Sequence, residues 1–151
     1  VVILTKDKKS NVLAEAMRVS GAKVSAFLNK NKVKEVNILA DGIKTEFALA
    51  FIEGLALAGY QFLKYKTDAE KEQNSLNKIS IIGEVKEKEL RNLEVLIHSV
   101  FKARDLVNEP QSYLNAVQFS KELEILGKDS GCKVEVFNKS KIESMKMGGL
   151  L

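Results

Sequence analysis

Cysteine, histidine, proline and tryptophan are nearly missing from this sequence. Its 151 residues include one of each of the first three and no tryptophan. Because Cys132 has no second cysteine to pair with, a disulfide within the chain is excluded, which fits a reducing compartment. Because His98 is the only histidine, a histidine-rich metal site within the chain is excluded as well.

A long hydrophobic run is also missing. The most apolar segment, residues 47–63, is interrupted by Glu53 and Gln61 and falls short of the roughly 20 apolar residues that span a bilayer. The residues before Lys6 lack the basic region of a signal peptide, so we expect a cytoplasmic protein without a membrane partner. A content of 45% hydrophobic and 29% charged residues is typical of a globular domain.

Positive charge is in slight excess, with a formal net charge of +4. Lysines crowd the first part of the chain without interleaved aromatic residues, at Lys6, Lys8, Lys9, Lys30, Lys32 and Lys34. We interpret them as a solvated face, and this pattern disfavours nucleic-acid binding.

The order of the apolar patterns predicts an α/β fold with a largely parallel sheet covered by helices. Short apolar runs predict strands at residues 1–4, 33–40, 79–83 and 133–137. Helical spacing predicts helices at residues 10–31, 45–62, 86–107 and 139–147, and another that begins at Asn115 or Ala116 and ends near residues 127–131. Residues 64–77 are polar and predict a surface loop. Three strands in the first part are too few for a complete sheet, so we expect the chain to be a piece of a longer protein.

Glycines interrupt two of the predicted helices. Gly54 and Gly59 cost about 1 kcal/mol each in helix propensity against alanine, so we expect both to permit the close approach of another backbone. Gly21, after Ser20, predicts a bend in the first helix.

The lone proline predicts a domain boundary. Pro110 disfavours a helical conformation at the residue before it, so the long helix should stop near Asn108. We therefore predict a first domain at residues 1–84, a connecting helix at residues 85–108 and the start of a second domain at residues 109–151.

Two segments carry a resemblance to a known family. The first combines a buried helix with spaced aromatic residues and contains Glu53, Gly54, Tyr60, Phe62, Tyr65 and Lys66. The second ends the long helix and contains Arg104, Asp105, Asn108, Glu109 and Pro110. Together with Met-Gly-Gly-Leu-Leu at residues 147–151, their order and spacing resemble the M17 leucyl (cytosol) aminopeptidase family over essentially the whole chain. One departure is Asn115-Ala116, where the family commonly has a Thr-Pro pair.

The resemblance implies a three-layer, macro-like α/β/α N-terminal domain, the connecting helix, and the truncated beginning of a C-terminal metallopeptidase domain. It implies hydrolysis of N-terminal residues, leucine especially, from peptides by a water that two divalent ions, Mn or Zn, activate. It also implies a homohexamer. The family's glycine-rich catalytic motifs have no counterpart here, so we assign no catalytic or metal-binding residue to this chain and expect it to be structural and inactive alone.

Chemically capable residues within the chain have simpler interpretations. We interpret His98 as a surface or interface histidine, since it lacks companion ligands, and Cys132 as a partly buried thiol at a strand edge. Arg104, Asp105 and Glu109 are predicted to form a structural ion-pair cluster. The aromatic residues Tyr60, Phe62 and Tyr65 are predicted to lie in the core or against the next domain.

Two alternatives stay open. A macro-like module could bind a nucleotide or ADP-ribose without catalysis, although each predicted strand-to-helix connection has at most one glycine for a phosphate. A basic surface at residues 6–34 could bind nucleic acid through its lysines, in which case affinity would fall steeply with salt.

Overall fold

The computed structural model describes residues 9–151, so the strand predicted at residues 1–4 lies outside the described residues. The chain divides into two compact units, of which the first ends at Val107 and the second is Asn108–Leu151. The first unit contains α1 (Ser10–Lys30), β1 (Glu35–Leu39), α2 (Thr45–Leu57), the short α3 (Ala69–Glu72), β2 (Lys78–Ile82) and nearly all of α4 (Glu87–Asn108). The second contains α5 (Ala116–Asp129), α6 (Lys139–Ser144) and a 3-10 turn (Gly148–Leu150).

The two strands form a parallel sheet in which β1 pairs directly with β2. Val36 lies opposite Ile79, and Ile38 lies opposite Ile81. Because paired residues of a parallel ladder point to the same face, these four side chains give the sheet one apolar, half-buried face. The strand–helix–strand order with parallel pairing confirms the predicted α/β fold class.

The core of the first unit lies where α1 crosses α2. Met17, Phe47 and Ala50 form the buried cluster, and Leu55 is completely buried. A Cβ atom on Gly54 would lie 2.0 Å from the Arg18 carbonyl oxygen, and one on Gly21 would lie 2.1 Å from the Phe51 carbonyl oxygen. The two glycines therefore allow the helix backbones to touch, which confirms the prediction for Gly54.

Helix α1 is helical from Ser10 to Lys30, and Gly21 allows its close contact with α2; the predicted bend there stays a prediction. Two other local predictions near this crossing are wrong. A Cβ on Gly59 would meet only the Ala56 carbonyl oxygen, one turn back, at 3.2 Å, so Gly59 approaches no other element. Helix α2 ends at Leu57, not at residue 62, because the amides of Ala58 and Gly59 close a final turn. The loop predicted at residues 64–77 also contains the single helical turn α3.

The strand predicted at residues 133–137 is wrong as well. These residues form no strand. A strand needs a hydrogen-bonded neighbouring strand, and the described residues of the second unit contain no strand that could pair with them. Val134 instead packs against the end of α5, where Gly127 is buried. Helices α4 and α5 begin and end within about two residues of their predicted bounds, whereas α6 ends at Ser144, before residue 147.

Candidate functional site: the anchor of the long helix

The end of α2 is held by a side chain from α4. Arg104 Nη1 donates a hydrogen bond to the carbonyl oxygen of Leu57, the last residue of α2, at 2.9 Å. The last carbonyls of a helix have no partner within the helix and carry its partial negative charge. A guanidinium group supplies both a donor and the complementary charge, so Arg104 caps α2 from α4.

Tyr60 makes the second connection between the same two regions. Its hydroxyl donates to Asp105 Oδ1 at 2.8 Å, across 45 residues of sequence. Its ring lies 5.3 Å from the Phe101 ring at an interplanar angle of 52°, and Arg104 Cζ lies 5.3 Å from the centroid of the Tyr60 ring. We call Tyr60, Phe101, Arg104 and Asp105 the helix latch.

The two charged members of the latch have their partners in the region where α2 ends. Arg104 donates to the Leu57 carbonyl oxygen, and Asp105 accepts from the Tyr60 hydroxyl. Glu109 belongs to the second unit. The predicted structural ion-pair cluster of Arg104, Asp105 and Glu109 stays a prediction.

A groove separates much of α4 from the rest of the first unit. It measures about 390 Å³ and is lined by apolar side chains of α2, β2 and α4, among them Ile52, Leu55, Ile79, Ile81, Leu93 and Ile97. A second groove of about 430 Å³ follows at the latch and is lined by Tyr60, Gln61, Asn74 and Asp105 among others. His98 lies at the apolar groove and is exposed, as predicted for a surface histidine.

The other residues of the first family-like segment lie in two places. Glu53 and Gly54 are at the crossing, where Glu53 Oε2 accepts from Arg18 Nε at 3.0 Å beside the glycine contact. The remaining three are in the loop after α2: the rings of Phe62 and Tyr65 lie 5.8 Å apart, and Lys66 pairs with Glu72. The spacing of Tyr60 and Phe62 had suggested a helix, but both residues lie beyond the end of α2.

The second segment ends α4 and starts the turn that follows. Asn108 is the last residue of α4, as predicted from the proline. The Pro110 carbonyl then accepts from the amides of Tyr113 and Leu114, both at 2.9 Å. Asn115 closes this turn by capping α5, with Oδ1 accepting from the Gln118 amide at 3.0 Å.

Within residues 9–151, no three His, Cys, Asp or Glu side chains are grouped so that they could hold a metal ion. Cys132 is exposed and follows the end of α5, so its prediction as a partly buried thiol at a strand edge is wrong. Among residues 9–151, no helix is long and apolar enough to cross a membrane. The contacts of the latch fix the C-terminal part of α4 to the region where α2 ends.

The sequence resemblance singles out Tyr60, Arg104 and Asp105 but not their partners. Phe101 lies within the helix predicted at residues 86–107 but was not singled out there, and the Leu57 carbonyl leaves no signal in the sequence. Gly21 could have been found from its spacing, because Met17, Gly21 and Ser25 are buried at successive helical turns along α1.

A parallel βαβ unit with a long helix fixed beside it defines an α/β domain, and comparisons with known proteins identify its family. The protein-family model described as the N-terminal domain of the cytosol aminopeptidase family matches residues 1–69. A probable cytosol aminopeptidase of Clostridium perfringens is 31% identical over 100% of this chain and 33% of its own length. Another, of Chloroherpeton thalassium, is 30% identical over 80% of this chain and 30% of its own. The chain belongs to the M17, or cytosol aminopeptidase, family.

Solved structures agree on the fold. A mutant tomato leucine aminopeptidase matches 93% of this chain and 30% of its own, with a TM-score of 0.78 and 16% identity. The bottromycin maturation enzyme BotP matches 87% of this chain and 29% of its own, with a TM-score of 0.72 and 18% identity. The chain spans about a third of the length of the curated relatives that it matches.

Proposed function

We propose that this chain is part of an aminopeptidase that removes N-terminal residues, leucine especially, from peptides. The observation that carries the proposal is the 31% identity to a probable cytosol aminopeptidase over 100% of this chain. The fold match to a leucine aminopeptidase agrees with it.

Two divalent ions, Mn or Zn, would supply a bound water of lowered pKa in such an enzyme. Residues 9–151 do not fit that role, because they bring no three suitable side chains together. Two-metal sites are held by several carboxylates together with other ligands. We therefore propose that the metal ions and the peptide substrate bind a part of the protein that lies outside this sequence.

The proposed role of this chain is structural. Residues 1–84 would form part of the N-terminal domain, residues 85–108 the connecting helix, and residues 109–151 the beginning of the catalytic domain. The whole protein would be a cytoplasmic homohexamer. The apolar side chains that stay exposed along both units, such as Leu39, Val95, Val107 and Val117, are compatible with further parts of the protein packing on them.

The test uses the protein encoded by the full reading frame. After metal removal, it is assayed for hydrolysis of leucine-p-nitroanilide with added Mn or Zn and with a chelator in excess. We expect hydrolysis that the metal restores and the chelator abolishes. Hydrolysis that ignores both would contradict the metal requirement, and no hydrolysis with either metal would contradict the proposed function.

A further inference from the structure

Helix α4 is attached to the first unit by few apolar contacts. Of its 22 residues, only Leu93 is buried. The groove of about 390 Å³ lies between its inner face and the side chains of α2 and β2. A helix with little buried apolar surface contributes little to its own docking, so its direction depends on the specific contacts that remain.

The latch supplies those contacts over a short stretch of α4. Phe101, Arg104 and Asp105 are spaced by three and four residues and therefore share one face of the helix. Their partners, the Leu57 carbonyl and the Tyr60 side chain, lie at and just after the end of α2. Since α2 contains the fully buried Leu55 and the Gly54 contact with α1, the latch connects a loosely docked helix to the firmest element of the unit.

We propose that Tyr60, Arg104 and Asp105 are positioning residues that fix the direction in which α4 leaves the first unit. Together they set the alignment of the catalytic part that follows α4 in the chain. The second half of this inference rests on the proposed aminopeptidase function, whereas the first half concerns the described residues alone. None of the three residues touches substrate in this scheme; they act through α4.

The first arm of the test measures hydrogen exchange in the full-length protein, by mass spectrometry of peptides from α4 and from the crossing of α1 and α2. Tyr60→Phe keeps the ring contacts and removes the hydroxyl donor. We expect amides around residues 101–107 to exchange about fivefold faster, the effect of losing one net hydrogen bond, while amides of the crossing stay unchanged. Asp105→Leu should do the same, and Asp105→Asn should restore slow exchange because its amide oxygen still accepts from Tyr60.

A matched control is available on the same helix. Arg91 is exposed and pairs with Glu87 one turn away on α4, so Arg91→Gln removes a guanidinium without touching the latch. It should leave exchange at residues 101–107 at the wild-type rate, whereas Arg104→Gln should raise it. Equal exchange in wild type, Tyr60→Phe and Arg104→Gln would overturn the proposal. So would an equal increase at the crossing, because it would indicate a general stabilising role.

The second arm measures leucine-p-nitroanilide kinetics of the same full-length variants. Substrate does not contact the latch, so misalignment should lower kcat about threefold or more and leave KM within about twofold; misplacement by about 1 Å can cost roughly 10²-fold. Asp105→Asn and Arg91→Gln should keep wild-type kcat. An inactive wild type would refute the proposed function while the exchange arm still decides the latch. An active wild type with unaffected latch variants would refute the alignment role.

Discussion

Gly54 is the position at which a single methyl group should most disturb this chain. The Cβ atom of Gly54→Ala would lie 2.0 Å from the Arg18 carbonyl oxygen and 2.6 Å from Arg18 Cα. That is about 1 Å short of the 3.0 Å below which real Cβ contacts are essentially not found. The obstructing atoms are backbone atoms of α1, which cannot rotate away, so the two helices must separate.

The expected loss can be worked out from two opposing terms. Overpacking in a core typically costs 1–3 kcal/mol, and a rigid backbone obstacle puts this site at about 3 kcal/mol. Alanine recovers about 1 kcal/mol of helix propensity relative to glycine. The free energy of unfolding of Gly54→Ala should therefore fall by about 2 kcal/mol, and Gly21→Ala, obstructed by the Phe51 carbonyl at 2.1 Å, should behave alike.

Urea unfolding of the 151-residue chain, followed by far-UV circular dichroism, measures this loss as a lower midpoint at unchanged slope. Gly59→Ala is the matched control, because its Cβ would meet only the Ala56 carbonyl at 3.2 Å, and it should change the free energy of unfolding by less than about 0.5 kcal/mol. If Gly54→Ala unfolds at the same urea concentration as Gly59→Ala, the close crossing of α1 and α2 is refuted.

Three further predictions concern caps, charges and exposure. Asn115→Ala removes the cap that accepts from the Gln118 amide and should cost about 1 kcal/mol in urea titrations of the second unit, whereas Asn115→Asp should cost little; equal losses would contradict the cap. A double-mutant cycle of Arg18→Ala and Glu53→Ala should give a coupling of at most about 1 kcal/mol that shrinks in 1 M salt, because the Arg18 side chain is 39% exposed; a larger, salt-independent coupling would argue against this geometry. Cys132 is exposed, so it should react completely with a thiol reagent such as DTNB without denaturant, and a thiol that reacts only in urea would show that it is covered.

The helices whose apolar stripes end at clear signals were predictable from the sequence. Pro110 marks the end of α4, and the capping residue Asn115 marks the start of α5, so both helices have their predicted bounds there. The end of α2 was not predictable by spacing, because the aromatic residues Tyr60 and Phe62 continue the helical pattern in residues that are not helical. The Tyr60 hydroxyl donates to Asp105 of α4, and a contact across 45 residues leaves no local pattern in the sequence.

In the second unit, the sequence predicted a strand that does not form. Val134 and Val136 alternate with charged residues as a strand would, but strand formation depends on a partner that local alternation does not reveal. For the candidate site, motif resemblance brought out Tyr60, Arg104 and Asp105 without saying that they meet. Only the fold supplies the Leu57 carbonyl and the Phe101 ring that turn these residues into one cluster.

We propose that the full-length protein is an aminopeptidase whose metal ions and substrate bind outside the present sequence. The most direct measurement compares the 151-residue chain with the full-length protein at equal molarity, both with Mn, on leucine-p-nitroanilide. We expect the full-length protein to release p-nitroaniline and the shorter chain to release none above the blank. Turnover by the shorter chain, or its absence in both samples, would contradict it.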